Sequence, residues 1–321
     1  MNFKFLVKKI ITSLVTLFLL ATVTFFIFEI IPGNVVLTKL GTEATKESIE
    51  AMEKLYGLDK SLADRYIQFI LGLFTGDFGI SYSTNLPVSS MINNCLPVTI
   101  NLAIISLVLV VVVSVPLGLF FGLISSKKKN AKKVFAIDVT NQTFMSIPPF
   151  VIGIVISLFF GLTLKWFVPG YVADINTDFT GFLWCLVPAA VSVAIPKIAM
   201  MIRFIRTSVA DEMEKNYVRL ARSKGMSEVR VLFLHVLKNV LITNVTALSV
   251  VVVEIFAGSV VIEQVFSLNG MGRLLIASIS GRDYKVVSAI VMYVGIVVIL
   301  TNLLVDILYA IVDKRTVSAD E

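Results

Sequence analysis

Few residues in this chain are equipped for bond-making chemistry. His235 is the single histidine, and Cys95 and Cys185 are the two cysteines, far apart and without CxxC spacing. A His-based metal centre needs more than one imidazole, and thiolate zinc sites need closely spaced Cys pairs, so neither has support. No GxxxxGK[ST] run occurs, so the chain brings no phosphate loop of its own to ATP. With one histidine and no acid/base cluster, a membrane-embedded enzyme has little chemistry to work with. What stands out instead is a charged stretch, KNYVRLARSKGMSEVRVLF at 215–233, lying between two apolar segments.

From Ser208 to Lys224 that stretch reads as a helix. Val209, Met213, Tyr217 and Leu220/Ala221 form one apolar stripe, with Asp211, Glu212, Lys215, Arg219 and Arg222 on the other faces. Gly225 stands where a helix stops, since glycine takes the left-handed conformation at little steric cost, and Met226 is placed to pack back on Ala221. Ser227 and Glu228 offer an N-cap and a first-turn acid for a second helix. The expectation is helix, tight turn, helix. Nucleic acid is disfavoured because Asp211, Glu212, Glu214 and Glu228 interleave with the bases. A membrane-surface helix wants a wider, bulkier apolar face. A solvated helical loop is the bland alternative. The capped corner favours insertion into a partner's groove.

The elements around this corner are built for hydrocarbon. Of 321 residues, 57% are hydrophobic and 16% charged, and mean hydropathy is +0.90. A soluble domain carries about a quarter charged residues, and about 20 apolar residues span a bilayer. Six such segments are read: 10–31, 98–124, 134–164, 182–202, 240–261 and 286–312. The first is expected to be a retained membrane helix rather than a signal peptide, its apolar run being too long. The third is interrupted by Pro148-Pro149. The net charge of +6 fits the excess of Lys and Arg in cytoplasmic loops. With both termini cytoplasmic, 18 of the 28 Lys and Arg fall inside and 9 outside, with Lys197 in the fourth segment.

The outer segment 32–97 has Ile49, Met52, Leu55 and Tyr56 at helical spacing and is expected to form short amphipathic helices. Charges within or beside apolar segments usually face a bundle interior or water. Among Glu29, Asp138, Lys197, Glu254 and Asp306, Lys197 (beside Pro196) and Glu254 are candidates for a pathway, with a structural interhelical ion pair as the equal alternative. Asp138 and Asp306 are read as structural and His235 as a packing residue.

KNYVRLARSKGMSEVRVLFLHVLKNVLI resembles the cytoplasmic coupling-loop signature of ABC-importer permeases, and within them the dipeptide/oligopeptide/nickel permease family. Tyr217, Val218, Ala221, Arg222, Lys224 and Gly225 match one family run, and His235, Leu237 and Asn239 a second. Arg219 stands where the broader motif has Glu, and its late Pro is absent. Pro32-Gly33, YGLD at 56–59, GDFGIS at 76–81 and IEQVFSLNGMGRLLIASISGRDY at 262–284 resemble the B-type member of the permease pair. Asp306, Tyr309, Asp313 and Arg315 fit the family ending, while Lys314 and Asn34 depart from it.

The resemblance implies an all-α integral membrane fold of six helices of the type I importer class. It divides the chain into 1–94, a permease domain at 95–313 with a coupling loop at about 208–239, and a tail at 314–321. It implies a non-catalytic subunit that binds no cofactor directly, ATP and Mg residing on two separate ATPase subunits. Its partners would be a second, C-type permease, those ATPases, an extracytoplasmic substrate-binding protein and membrane lipid, in a prokaryotic cell membrane. Glu214, Tyr217, Arg219, Ala221, Arg222, Lys224, Gly225 and Met226 would engage the ATPase, small Ala221 and Gly225 permitting close docking. Glu263, Gly270, Gly272 and Asp283 would help close an outer gate. Peptides are the expected solute, with nickel chelates and small glycosides as alternatives within the family. An ion-coupled secondary transporter is the rival from another class, but the paired broken helices of such folds are not seen.

Overall fold

The computed structural model describes residues 3–31, 35–40, 45–127 and 130–312. The Pro32-Gly33 pair, Asn34, Lys128, Lys129, Asp313, Lys314, Arg315 and the tail at 314–321 lie outside the described residues. Thirteen helices are named in chain order: α1 Phe3–Ile30, α2 Val35–Leu40, α3 Lys46–Tyr56, α4 Leu62–Thr75, α5 Val88–Ser125, α6 Ala131–Ser146, α7 Pro149–Ile156, α8 Phe179–Met213, α9 Asn216–Ser223, α10 Glu228–Val231, α11 Leu237–Val265, α12 Met271–Ser280 and α13 Tyr284–Val312. Extended pairing among the described residues is confined to a bridge between Ile80 and Pro87.

Among the described residues, five helical spans are long and apolar enough to cross a membrane, and a sixth is counted if α6 and α7 act as one. The break between them is a bend of 85°. Its cause is local. Ile147 is extended, and Pro148 disfavours helical backbone in the residue before it. Pro149 then occupies the first turn of α7, where its missing N–H costs nothing. α7 runs on into a π-helical turn, Ser157–Thr163, and α10 is joined to α11 by a second, Leu232–Val236, which contains His235.

The chain forms two compact units. The first centres on Ile100–Leu268, and α8 is its axis, packed by α6, α7 and α11. α8 buries Leu186, Ala190, Val193, Ile205 and Val209. α5 approaches it closely through Gly118 and Gly122. A Cβ on Gly118 would stand 2.7 Å from the Ile205 Cβ, and one on Gly122 would overlap Val209. In lipid, where apolar burial does not drive helices together, such small-residue contacts carry much of the packing.

The second unit is Lys8–Thr99 with Asn269–Leu300. Ala21, Val88, Ile92, Met271, Val286, Ala289, Ile290 and Met292 form its core. α3 starts at Thr45, whose hydroxyl accepts the Ser48 N–H, and ends at Gly57. Its Tyr56 joins Val36 and Tyr82 in a small cluster supported by Ile49 and Met52. Leu55, expected on the same stripe, is 48% exposed, because it lies one position off the 49–52–56 register that touches the cluster.

Candidate functional site

The charged corner is built from the end of α8 onward. The expected single helix from Ser208 to Lys224 is broken: α8 stops at Met213, Lys215 is extended, and α9 begins at Asn216. The break resets the apolar stripe. Val209 and Met213 are buried as expected, but in α9 the inward positions are Val218 and Ala221, while Leu220 is 58% exposed.

Glu212, expected off the apolar stripe, is buried and holds this break together. Its carboxylate accepts the Lys215 ammonium and the Tyr217 hydroxyl, each at 2.5 Å. Tyr217 in turn accepts the Asn239 amide N–H at 3.2 Å, which ties α9 to the start of α11. Burial, and then the bond to Glu212, push the Tyr217 phenol up to about 12, so it stays a neutral donor across physiological pH. Asn239 sits in the second matched run, and this bond gives it a physical task.

The far end of α9 closes as the glycine rule predicts. Gly225 has φ of +82°, its N–H bonds Arg222 O at 2.9 Å, and the Met226 N–H bonds Ala221 O at 3.3 Å. These are the two bonds of the left-handed helix stop. A Cβ at Gly225 would meet nothing within 4 Å, so this corner is open. Ser227 occupies the N-cap position of α10, but its hydroxyl makes no cap bond. Glu228 instead pairs with Arg222 at 2.9 Å across the corner. Glu214, Arg219 and Lys224 are exposed, whereas Ala221 points into the chain's own core. Leu220, Val229, Phe233 and Leu234 are exposed apolar residues around the corner.

Lys197 and Glu254, candidates from separate segments, form an ion pair between α8 and α11. The Lys197 side chain is 17% exposed and Glu254 39%. A second pair was not legible in sequence: Arg206 on α8 bonds Asp138 on α6, and also the Ser125 hydroxyl at 3.1 Å. Asp138 is visible in the sequence as a charge within an apolar segment, but Arg206 lies past the end of the fourth segment, 182–202. Placing its guanidinium beside Asp138 requires knowing that α6 packs on α8. The Gly118-x-x-x-Gly122 spacing is a sequence signal for the close contact of α5 with α8.

The four residues expected at an outer gate divide between the units. Glu263 is fully buried in the last turn of α11. In the other unit, Gly270 precedes α12 and Gly272 is buried in its first turn. Asp283 is fully buried and accepts four bonds: Ser81 Oγ at 2.5 Å, Ser83 Oγ at 2.7 Å, and the Tyr82 and Ser83 N–H groups at 3.1 Å each. It fastens the end of the GDFGIS segment to the start of α13. No group of three or more metal-binding side chains occurs among the described residues.

Residues 114–318 match the family model described as binding-protein-dependent transport system inner membrane component, and residues 2–103 match the N-terminal model of such membrane components. The chain is 32% identical over 314 residues to the oligopeptide transport system permease protein AppB of Bacillus subtilis, covering 97% of this chain and 98% of the relative. It is 33% identical, with the same coverage, to the dipeptide transport system permease protein DppB of Lactococcus lactis. It is 31% identical over 313 residues to the oligopeptide transport system permease protein OppB of Haemophilus influenzae, again covering 97% of this chain and 98% of the relative. Five or six apolar spans, a capped polar corner and family matches over both parts of the chain converge: this protein belongs to the family of binding-protein-dependent transport system inner membrane components.

Proposed function

We propose that this protein is the non-catalytic membrane-spanning subunit of an ATP-driven importer for peptides, and that the corner at Asn216–Glu228 receives the mechanical stroke. The observation that carries the reading is the corner's construction. Glu212, Tyr217 and Asn239 lock α9 to α8 and α11, so a push on Gly225 displaces long membrane helices as a rigid body. Exposed Leu220, Val229 and Phe233 supply the apolar anchors of a groove contact, and Arg219 and Lys224 the charged rim that selects the partner. Two ATPase subunits carrying ATP and Mg would provide the groove. A second permease subunit would complete the pathway, and an extracytoplasmic binding protein would deliver the solute. Relatives named for oligopeptide and dipeptide transport support a peptide as the solute.

In this reading both termini lie in the cytoplasm, as does the corner. Lys197 and Glu254 line the inner part of the pathway as a charge pair bridging α8 and α11. Glu263, Gly270, Gly272 and Asp283 belong to the opposite, outer end, where Asp283 acts by fixing the 81–83 loop.

Replacing Gly225 by Trp tests the coupling role. A non-glycine residue with positive φ costs about 1–3 kcal/mol locally, and the open space around Gly225 leaves the rest of the fold undisturbed. ATP-dependent peptide uptake in proteoliposomes is expected to fall at least tenfold, with loss of ATPase co-purification and normal permease yield. Normal uptake with a normally assembled ATPase removes the coupling role.

A further inference from the structure

α4 lies in what the sequence presents as an extramembrane segment, yet its contacts place it beside the core of a membrane helix. Two contacts set the level of the Ile30 end of α1. Phe28 stacks on Tyr284, the first residue of α13, at 5.7 Å, and further along the same two helices Gly295 abuts Leu20. α1 and α13 therefore run antiparallel, with Phe28 and Tyr284 at one level. Depth below that level follows from the rise of about 1.5 Å per residue.

α4 attaches below it. Arg65 reaches up to Glu29, pairing at 2.6 Å and 3.1 Å. Tyr66 bonds the Thr22 hydroxyl at 2.8 Å and packs on Phe25 and Phe26, and Phe69 packs on Phe25 at 5.7 Å. Thr22 and Phe25 stand roughly 9 and 5 Å below Phe28. Just past the end of α4, Phe78 contacts Tyr293 at 5.9 Å, roughly 13 Å below Tyr284. Tyr66–Phe78 thus lies at levels where α1 presents Leu19, Val23 and Ile27 outward.

The face of α4 turned away from α1 carries Ile67 (54% exposed), Leu71 (57%) and Phe74 (82%), at i, i+4 and i+7. That stripe continues the outward apolar surface of α1, which belongs to a membrane span of 24 residues. The non-helical turn after α4 is not stranded in hydrocarbon. Asp77, Thr75 and Gln68 line an open cavity of about 620 Å³ together with Lys54 and Lys60, bordered by Leu71 at the edge of the stripe, which gives the backbone a polar side. Irregular backbone at membrane depth is tolerated under that condition.

We propose that α4 is a re-entrant helix seated among the acyl chains of the leaflet at the Ile30 end of α1, with Ile67, Leu71 and Phe74 as its lipid-facing stripe. The occupant is lipid rather than a binding protein or a second permease subunit, because the stripe is continuous with the lipid-facing side of α1. The proposal is independent of which solute is carried.

The test uses the full transporter complex in liposomes, with nitroxides placed singly at Ile67→Cys, Leu71→Cys and Phe74→Cys after Cys95→Ala and Cys185→Ala replacement. Ile27→Cys on α1 is the lipid reference and Gln68→Cys the polar one. Collision with oxygen is expected to exceed collision with a water-soluble nickel chelate severalfold at all three stripe positions, as at Ile27, and the ratio to reverse at Gln68. Should the cysteine-free background not assemble, Leu71→Trp in a Trp166→Phe, Trp184→Phe chain is expected to be quenched by lipids brominated along the acyl chain. Nickel accessibility at Leu71 and Phe74 would overturn the proposal in favour of an aqueous surface. Low collision with both probes, or no bromolipid quenching, would overturn it in favour of a protein contact.

Discussion

Glu212 and Glu214 are two residues apart and chemically alike, but only Glu212 is built into the corner. It sits on the buried side of the last turn of α8, where two donors converge on it, while Glu214 faces solvent. Glu212→Ala would leave the Tyr217 hydroxyl and Lys215 without their acceptor, at a cost of about 1–3 kcal/mol. Trypsin cleavage at Lys215 and Arg219 in the purified complex is expected to accelerate severalfold in this variant. Glu214→Ala is expected to leave the cleavage rate unchanged. The raised Tyr217 phenol has a defined sign: its folded state favours the neutral form, so this stabilisation holds below the ordinary phenol range and is lost as pH rises through about 12. The Tyr217 hydroxyl therefore remains a donor to Glu212 throughout the range where a cell operates. Lys197 and Glu254 show a limit of reading residues one at a time. Each was visible as an intramembrane charge, but that they neutralise one another depends on α8 and α11 packing side by side.

At the scale of elements, small residues and backbone breaks do most of the positioning. Gly118 and Gly122 let α5 close on Ile205 and Val209 of α8. Gly122→Val would force the helices apart, an overpacking worth about 1–3 kcal/mol. The expected readout is a lower melting temperature for the detergent-purified complex, with Gly258→Ala as a near-neutral control because a Cβ there is 4.0 Å from its nearest neighbour. Pro148-Pro149 was legible as a break, and the 85° bend follows from it. The π turns at 157–163 and 232–236 were not legible, because their residue types suit an ordinary α-helix. The first half of the corner departs from its sequence periodicity for a related reason. Stripe periodicity assumes one uninterrupted helix, and the extended Lys215 moves Val218 inward in place of Tyr217 and leaves Ala221, not Leu220, as the inward member of the Leu220/Ala221 pair.

For the whole molecule, the distribution of Lys and Arg makes a topological claim that single-cysteine labelling can check. With both termini cytoplasmic, Lys224→Cys is expected to react with an impermeant maleimide only from the cytoplasmic side, and Lys60→Cys only from the other. The reverse pattern would invert the orientation and place the proposed ATPase contact on the wrong face.

The sequence by itself determined the class of molecule: apolar run lengths require membrane helices, and the order and spacing of short motifs identify a permease. It also determined the glycine stop at Gly225, because helix capping is a local property settled within a few neighbouring residues. Tertiary structure alone decided which charges meet, which of two nearby glutamates is buried, and that α4 lies alongside α1 rather than clear of it. Those outcomes depend on contacts between residues distant in the chain, and local periodicity holds no information about which helix will supply the neighbour.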